Sequence, residues 1–265
     1  MSENNIENYI DEVYLGDIMD LLKKLPNESV DLVFGDPDYN VGIKYNNKTY
    51  TKKFDEYIDW YIELAKESLR VLKNDGNMFL INYPKQNAYL RVKYLDEVCE
   101  VFDYVWVYNT NRGQTPKHFT NAHRSVLHCR KSENNKFYKD NVAVPYLYQK
   151  DKRVIKRMNE GSKGTMPNSW FLYNLIKYPS KEKTIHPCQI PQELSEMLIK
   201  AATQENDLVL VLFGGSGSEL EVCKKLNRHY ISAEIDELYY ELIQDRLEKG
   251  YVDEKYQYKV KKNKD

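Results

Sequence analysis

Apolar residues along this chain gather in short runs, and the spacing within each run predicts an element. Ser29–Phe34 (SVDLVF) and Asn77–Tyr83 (NMFLINY) read as strands, as do Phe102–Tyr108, Arg124–Arg130 and His229–Glu234. Leu208–Phe213 (LVLVLF) is near-continuously apolar, which predicts a strand buried on both faces. Helical spacing appears at Ile58, Ile62, Leu64, Ala65, Leu69 and Leu72, so a helix is expected from a cap at Asp55 to about Leu72. Asp17–Leu25, Gln86–Cys99 and Asp236–Glu248 also read as helices, with a turn at Asn74-Asp75-Gly76. After Pro191, which suits a first helical turn, Leu194, Met197, Leu198, Ala201 and Ala202 follow i, i+3, i+4, i+7, i+8.

Strands alternating with helices predict a doubly wound α/β sheet, mostly parallel. In such sheets ligands bind beyond the carboxyl ends of the strands. From 131 to about 185 the periodicity dissolves into polar sequence such as KSENNK and NEGSKGTMPNS, a candidate insertion or small subdomain. There is no internal repeat.

Composition narrows the class. The 265 residues are 42% hydrophobic and 30% charged, enough apolar mass for a sizeable core in a soluble chain. No apolar run approaches the ~20 residues of a membrane span, so no membrane partner is expected. The amino-terminal stretch lacks the apolar segment of a secretory signal. Cys99, Cys129, Cys188 and Cys223 are scattered, which suits a reduced, cytoplasmic protein. Net charge is -1, but from Val105 to Lys163 there are 13 Lys and Arg against 4 Asp and Glu, with aromatics interleaved. Such a stripe suits phosphates, and a solvated basic face fits it equally. His118, His123 and His128 recur every five residues beside Cys129, yet match no usual zinc spacing, so no metal is expected.

Two loops carry candidate chemistry. Asp36-Pro37-Asp38-Tyr39-Asn40 follows one strand, and a turn alone would need neither the ring nor an acid at the strand end. Phe213-Gly214-Gly215-Ser216-Gly217 follows another and opens a helix, while the next strand ends in Glu234. Glycines admit a ligand close to the backbone, a helix amino terminus offers free N–H groups, and an acid one strand on can accept from ribose hydroxyls. The order fits an adenosine-type cofactor; it matches neither GxGxxG nor a GxxxxGK[ST] phosphate loop.

With those motifs and His186-Pro187-Cys188-Gln189-Ile190-Pro191 in this order, the chain resembles the beta group of S-adenosylmethionine-dependent DNA amino-methyltransferases, over roughly residues 12–130 and 165–248. The family tetrapeptide is acid- or Ser-Pro-Pro-aromatic; here Asp38 replaces the second proline, Val211-Leu212 stands where Asp-Pro is usual, and Ile190 where lysine is common. The resemblance implies a Rossmann-like methyltransferase sheet, with a catalytic half at 1–130, an inserted target-recognition region at 131–185, a cofactor half at 186–250 and a polar tail at 251–265. It implies methylation of the N6 amine of adenine in double-stranded DNA, with N4 of cytosine as the alternative. A subunit that has lost catalysis is a further alternative, and a second copy or a partner methyltransferase subunit is left open.

Under the resemblance Asp36 and Pro37 accept the N–H bonds of a flipped base's amino group, and Tyr39 stacks on the base. Asp38 supplements that field or sits in solvent, solvent being favoured, and Asn40 fixes the loop. Asp36, Phe213, Gly214, Gly215, Ser216, Gly217 and Glu234 would hold the cofactor with His186 and Gln189. Arg112, Lys117, Arg124, Lys152 and Arg153 would meet the DNA. A paired restriction enzyme fits the resemblance.

Overall fold

A computed structural model describes residues 5–110 and 116–259. Eight strands, β1 (Glu12–Leu15), β2 (Val30–Gly35), β3 (Leu72–Asn82), β4 (Glu100–Val107), β5 (His123–Arg130), β6 (Trp170–Leu172), β7 (Leu208–Val211) and β8 (His229–Glu234), form one sheet in the order β1-β8-β7-β2-β3-β5-β4-β6. Only β5 runs antiparallel to its neighbours, so the mostly parallel doubly wound sheet is present. Among the described residues no helix is long and apolar enough to cross a membrane.

The helices are α1 (Ile18–Leu22), α2 (Phe54–Val71), α3 (Pro84–Leu90), α4 (Asp96–Val98), α5 (Lys139–Val142), α6 (Lys152–Asn159), α7 (Gln192–Ala202), α8 (Ser218–Lys225) and α9 (Glu237–Lys249). They bury two separate cores. Leu21, Leu22, Tyr57, Tyr61, Leu64 and Leu90 from α1, α2 and α3 pack with Val33 on one face. Leu194, Leu198, Leu220 and Ile243 from α7, α8 and α9 pack with Leu32 and Phe34 on the other. All residues of β2 and β7 are buried because both faces are covered, which is why these two strands lack polar alternation.

Several local expectations change. Asp55 does not cap α2; Lys53 holds that position without a side-chain bond, and Asp55 lies in the first turn, where its charge suits the helix dipole. The Asn74-Asp75-Gly76 turn lies inside β3 as a bulge: Val30 pairs with Leu72, then Leu32 with Asn77. Gly76 is needed there for close approach, since a Cβ would stand 2.7 Å from the Asp31 carbonyl oxygen. The helix expected over 86–99 is broken into α3, a π turn at Arg91–Leu95 and α4. Nor is 131–185 a separate subdomain. Its β6 joins the sheet edge beside β4, and Tyr138 N–H donates to the Ala201 carbonyl at the end of α7 (2.7 Å).

At the amino end of β2, Asp31 is 4% exposed and ties three segments together. Its carboxylate accepts from Lys73 Nζ (2.8 Å), the Leu208 amide (3.0 Å) and Lys136 Nζ (3.2 Å). Burial pushes this carboxyl up, but the Lys73 bond, the Leu208 amide and Lys136 outweigh it and hold it below the usual value. A lowered native titration adds stability above the unfolded value that is lost as the pH falls. Asp31→Ala also strands the Leu208 N–H, so we expect a loss of about 1–3 kcal/mol in urea unfolding at pH 7. The wild-type advantage should shrink as the pH drops below 3.8.

Candidate active site

β2, β7 and β8 are parallel neighbours, so their carboxyl ends open side by side. A cavity of about 240 Å³ lies there, lined by Asp36, Pro37, Asp38 and Tyr39 after β2, by Phe213, Gly214, Gly215 and Ser216 after β7, and by Glu234 at the end of β8. His186 and Gln189 line it as well. The structure thus gathers the two expected loops and the acid around one space, together with α8's Glu219.

Asp36 has few partners and a strongly raised carboxyl. Tyr39 donates its hydroxyl to Asp36 Oδ1 at 2.5 Å, the only bond that the carboxylate accepts from the described residues. Burial pushes the Asp36 carboxyl up to about 7; the Tyr39 bond pulls it back, nearby Glu219 raises it, Arg124 lowers it and Asp38 raises it. No described residue donates to the Pro37 carbonyl, leaving that oxygen beside Asp36 for a ligand. A half-buried carboxylate beside a free carbonyl suits a group with two N–H donors.

The loop itself is held from outside. Tyr57 of α2 donates to the Asp38 carbonyl (2.7 Å) and in turn receives Asn82 Nδ2 (2.8 Å). Gln86 Nε2 donates to the Tyr39 carbonyl (2.7 Å). Asn40, at φ +58°, accepts from the Lys52 amide (2.7 Å) and donates to its carbonyl (3.1 Å), closing the segment between them. Asp38 is not in solvent: it lines the cavity, Oδ2 accepts from the Asn40 amide (3.1 Å), and burial raises its carboxyl. Sequence reasoning missed Tyr57, Asn82 and Gln86. Asn82 and Gln86 lie in NYPKQ at the end of the strand adjoining β2, and only that pairing shows that they emerge beside Asp36.

On the other side Glu234 is fixed by two backbone donors, Gly215 N–H to Oε2 (2.8 Å) and Asp236 N–H to Oε1 (2.9 Å). Burial raises its carboxyl despite those amides. One lone pair on each oxygen remains for hydroxyl donors. Gly215 has φ +54°, and a Cβ there would stand 3.3 Å from His186 Cε1, so the loop needs glycine on both counts. Gly217 shapes the turn as the left-handed cap of α8, away from the lining. Burial lowers His186 to about 4, its Nδ1–H donates to the Cys188 carbonyl, and its ring packs against Tyr239 at 4.7 Å. It walls the cavity as a neutral ring. Gln189 uses its amide within its own loop, accepting from the Thr184 amide (3.0 Å) and donating to the Glu182 carbonyl (2.9 Å).

The expected DNA contacts divide. Arg112 lies outside the described residues, and Lys117 is exposed at a bend. Arg124 does not reach the surface: it is 8% exposed and stacked behind Tyr39, because β5 turns this side chain inward. Lys152 and Arg153 are on exposed α6, and Arg153 pairs with Asp151 (3.0 Å). The segment before α6 is anchored to the carboxyl end of α7, whose amino end meets the glycine loop through Gln192 and Ser218 (3.4 Å). Eleven helical residues, roughly 16 Å, separate those ends. Neither Lys152 nor Arg153 lines the cavity.

The family model described as DNA methylase, of N6 and N4 methyltransferases, matches residues 30–245. The chain is 28% identical over 254 residues to the Type II methyltransferase M.BglII of Bacillus subtilis, covering 89% of this chain and 68% of that one. It is 31% identical to M.HpaI of Haemophilus parainfluenzae (87% and 72% covered) and 29% identical to the DNA adenine methyltransferase YhdJ of Escherichia coli (strain K12) (88% and 81%). Among solved structures, the cytosine-N4-specific PvuII DNA methyltransferase superposes with a TM-score of 0.67 at 22% identity, covering 89% of this chain and 85% of that one. The M1.HpyAVI–SAM complex gives 0.62 at 20% (89% and 98%). At these identities the structural likeness speaks for the fold.

The Asp36 carboxyl should titrate near 7 in the free protein, read from its ¹³Cγ resonance and assigned by its absence in Asp36→Asn. The native state binds this proton more tightly than the unfolded chain, so ionisation costs native stability as the pH rises from 3.8 to about 7. Asp36→Asn should therefore melt above wild type at pH 8, the difference narrowing as the pH falls toward 4 in thermal scans.

Proposed function

Because the chain belongs to the DNA methylase family of N6 and N4 methyltransferases, we propose that it methylates the N6 amine of adenine in double-stranded DNA. S-adenosylmethionine is the donor. The observation that carries the proposal is the half-buried, desolvated Asp36 carboxylate beside the unengaged Pro37 carbonyl, both residues lining the cavity that the glycine loop and Glu234 also line. First position aspartate and the adenine methyltransferase relative support adenine over cytosine.

The residues present fit the donor. Glu234, immobilised by two amides, keeps lone pairs for ribose hydroxyls, and the opened backbone at Gly214 and Gly215 admits close approach. The cavity's carboxylates, Asp36, Asp38, Glu219 and Glu234, favour a cationic ligand. Bound there, the donor supplies a methyl group already activated by a positively charged sulfur.

Asp36 and the Pro37 carbonyl each accept one N–H of the target amine. That holds the nitrogen and stabilises the positive charge it gains as its lone pair bonds the methyl carbon and the carbon–sulfur pair leaves with sulfur. The methylated nitrogen must then lose a proton, and Asp36, raised to about 7, is matched to accept one near neutral pH. Tyr39 engages only Oδ1, so Asp36 Oδ2 is open to an N–H of the amine, and the cavity side of the Tyr39 ring is the stacking surface for the extruded base. Exposed Lys117 belongs to the segment proposed to meet the duplex. Four free cysteines suit a cytoplasmic location.

Nucleoside mass spectrometry of duplex DNA incubated with protein and S-adenosylmethionine tests this. We expect N6-methyladenine with wild type and a drop of at least about 100-fold with Asp36→Ala. N4-methylcytosine would keep the mechanism and change the base. Cofactor binding without any methyl product across varied DNA would instead mean a subunit that has lost catalysis.

A further inference from the structure

Arg124 is a buried cation without a buried anion bonded to it. β5 carries it opposite Trp106 of β4, and its guanidinium carbon lies 3.8 Å from the Tyr83 ring centroid, 5.0 Å from Tyr39 and 5.3 Å from Tyr108. Nη1 donates to the Tyr108 hydroxyl and to the His123 carbonyl (3.0 Å), while Nε is buried with no partner among the described residues. Tyr39 and Tyr83 meet edge to face at 5.3 Å, so three rings and the guanidinium form one block behind the catalytic loop. Packing alone does not call for a charge here, because burying an unpaired cation is costly and an apolar chain of similar length would fill the same box.

The electrostatic surroundings of Asp36 give the charge a purpose. Tyr39 and Asp38 face it from its own loop, Tyr45 from the covering segment, Tyr57 and Tyr61 from α2, Glu219 from α8 and Cys188 from the segment before α7. Ionising any of these adds negative charge. Among the described residues with the largest effect on Asp36, Arg124 is the cation. We propose that Arg124 is a positioning residue for methyl transfer: it clamps the Tyr39 ring and sets a positive charge behind the loop that carries Asp36. The inference rests on the methyltransferase reading for its rate consequences, but its electrostatic half can be measured without substrate.

The test compares wild type, Arg124→Met and Arg124→Lys in two assays: kcat against pH at saturating donor and duplex, and the ¹³Cγ titration of Asp36 in the ligand-free protein. Arg124→Met should move the Asp36 titration up by about one pH unit. That leaves about tenfold less carboxylate, and about tenfold lower kcat, at a pH below the titration, with recovery as the pH rises. Arg124→Lys should keep the titration near wild type while lowering kcat, because an ammonium cannot stack as a plane on the rings. An unmoved titration in Arg124→Met, or a kcat loss that is flat with pH, overturns the proposal. If Arg124→Met fails to fold by circular dichroism, Arg124→Lys decides, and undiminished kcat there overturns it. Should wild type itself methylate nothing, the failure belongs to the functional reading, and the ligand-free titration still decides the role of Arg124.

Discussion

The molecule is organised around the desolvation of one carboxylate. β2 runs through the centre of the sheet with every residue buried, so whatever follows Gly35 emerges into a space from which water is largely displaced. The same strand carries an aspartate at each end, and their opposite behaviour shows what the fold does with them. Asp31 receives two ammonium groups and an amide, and titrates below its usual value. Asp36 receives a single hydroxyl and is driven up to about 7. Residue type is shared, so the difference lies in the surroundings: Asp36 is more deeply desolvated, takes one donor and faces Glu219 and Asp38, whereas Asp31 faces two lysines and an amide. Asp31 stabilises the junction of β2, β3 and β7; Asp36 is kept under-bonded, which costs stability at neutral pH and leaves an acceptor for another molecule.

The second half of the site depends on β7 lying directly beside β2. Phe34 pairs with Val211, which aligns the ends of the two strands and sets the glycine loop against the Asp36 loop. Here the departure from the family's Asp-Pro has a structural consequence. The Leu212 amide donates to the Phe34 carbonyl at 2.9 Å, extending the ladder by one bond that a proline could not make. Val211 presents an apolar wall to the cavity where an acid is usual. Glu219 is another carboxylate lining the same space, held by the Ser218 hydroxyl at 2.8 Å and raised by burial.

Central elements were legible in the sequence because burial on both faces leaves an unambiguous signature: β2, β7 and β8 fall within two residues of where apolar runs place them. Edge strands were not. In β1 only Val13 is buried, and β6 contributes three residues of which Phe171 alone is buried, so neither gives a period to read. The Asp36 loop, the glycine loop and Glu234 could be read because their chemistry is packed into consecutive residues. Their supports could not, since Tyr57 and Gln86 look like ordinary members of helices until the tertiary fold aims their polar ends at the Asp38 and Tyr39 carbonyls.

The basic stripe shows why a charge count along a chain is a poor guide to a polyanion surface. Several of its cations are consumed by the fold: Arg124 in the aromatic block, Arg130 on Glu100, Lys131 on the Leu72 carbonyl, and Lys136 on Asp31 and Asp75. α6 concentrates Lys152, Arg153, Lys156 and Arg157 on a helix with no buried residue, and none of the four lines the cavity. The described segments that follow β4 and β6 emerge at the same carboxyl edge of the sheet as the Asp36 loop. They are stitched together there by Asn109 N–H on Asn174 Oδ1 (2.9 Å) and Lys177 Nζ on the Thr110 carbonyl (2.6 Å). Cations on the strands between those loops serve the sheet. Their sign is what a polyanion requires, yet their direction is set by the alternation of side chains across β5, and at Arg124 that alternation points inward.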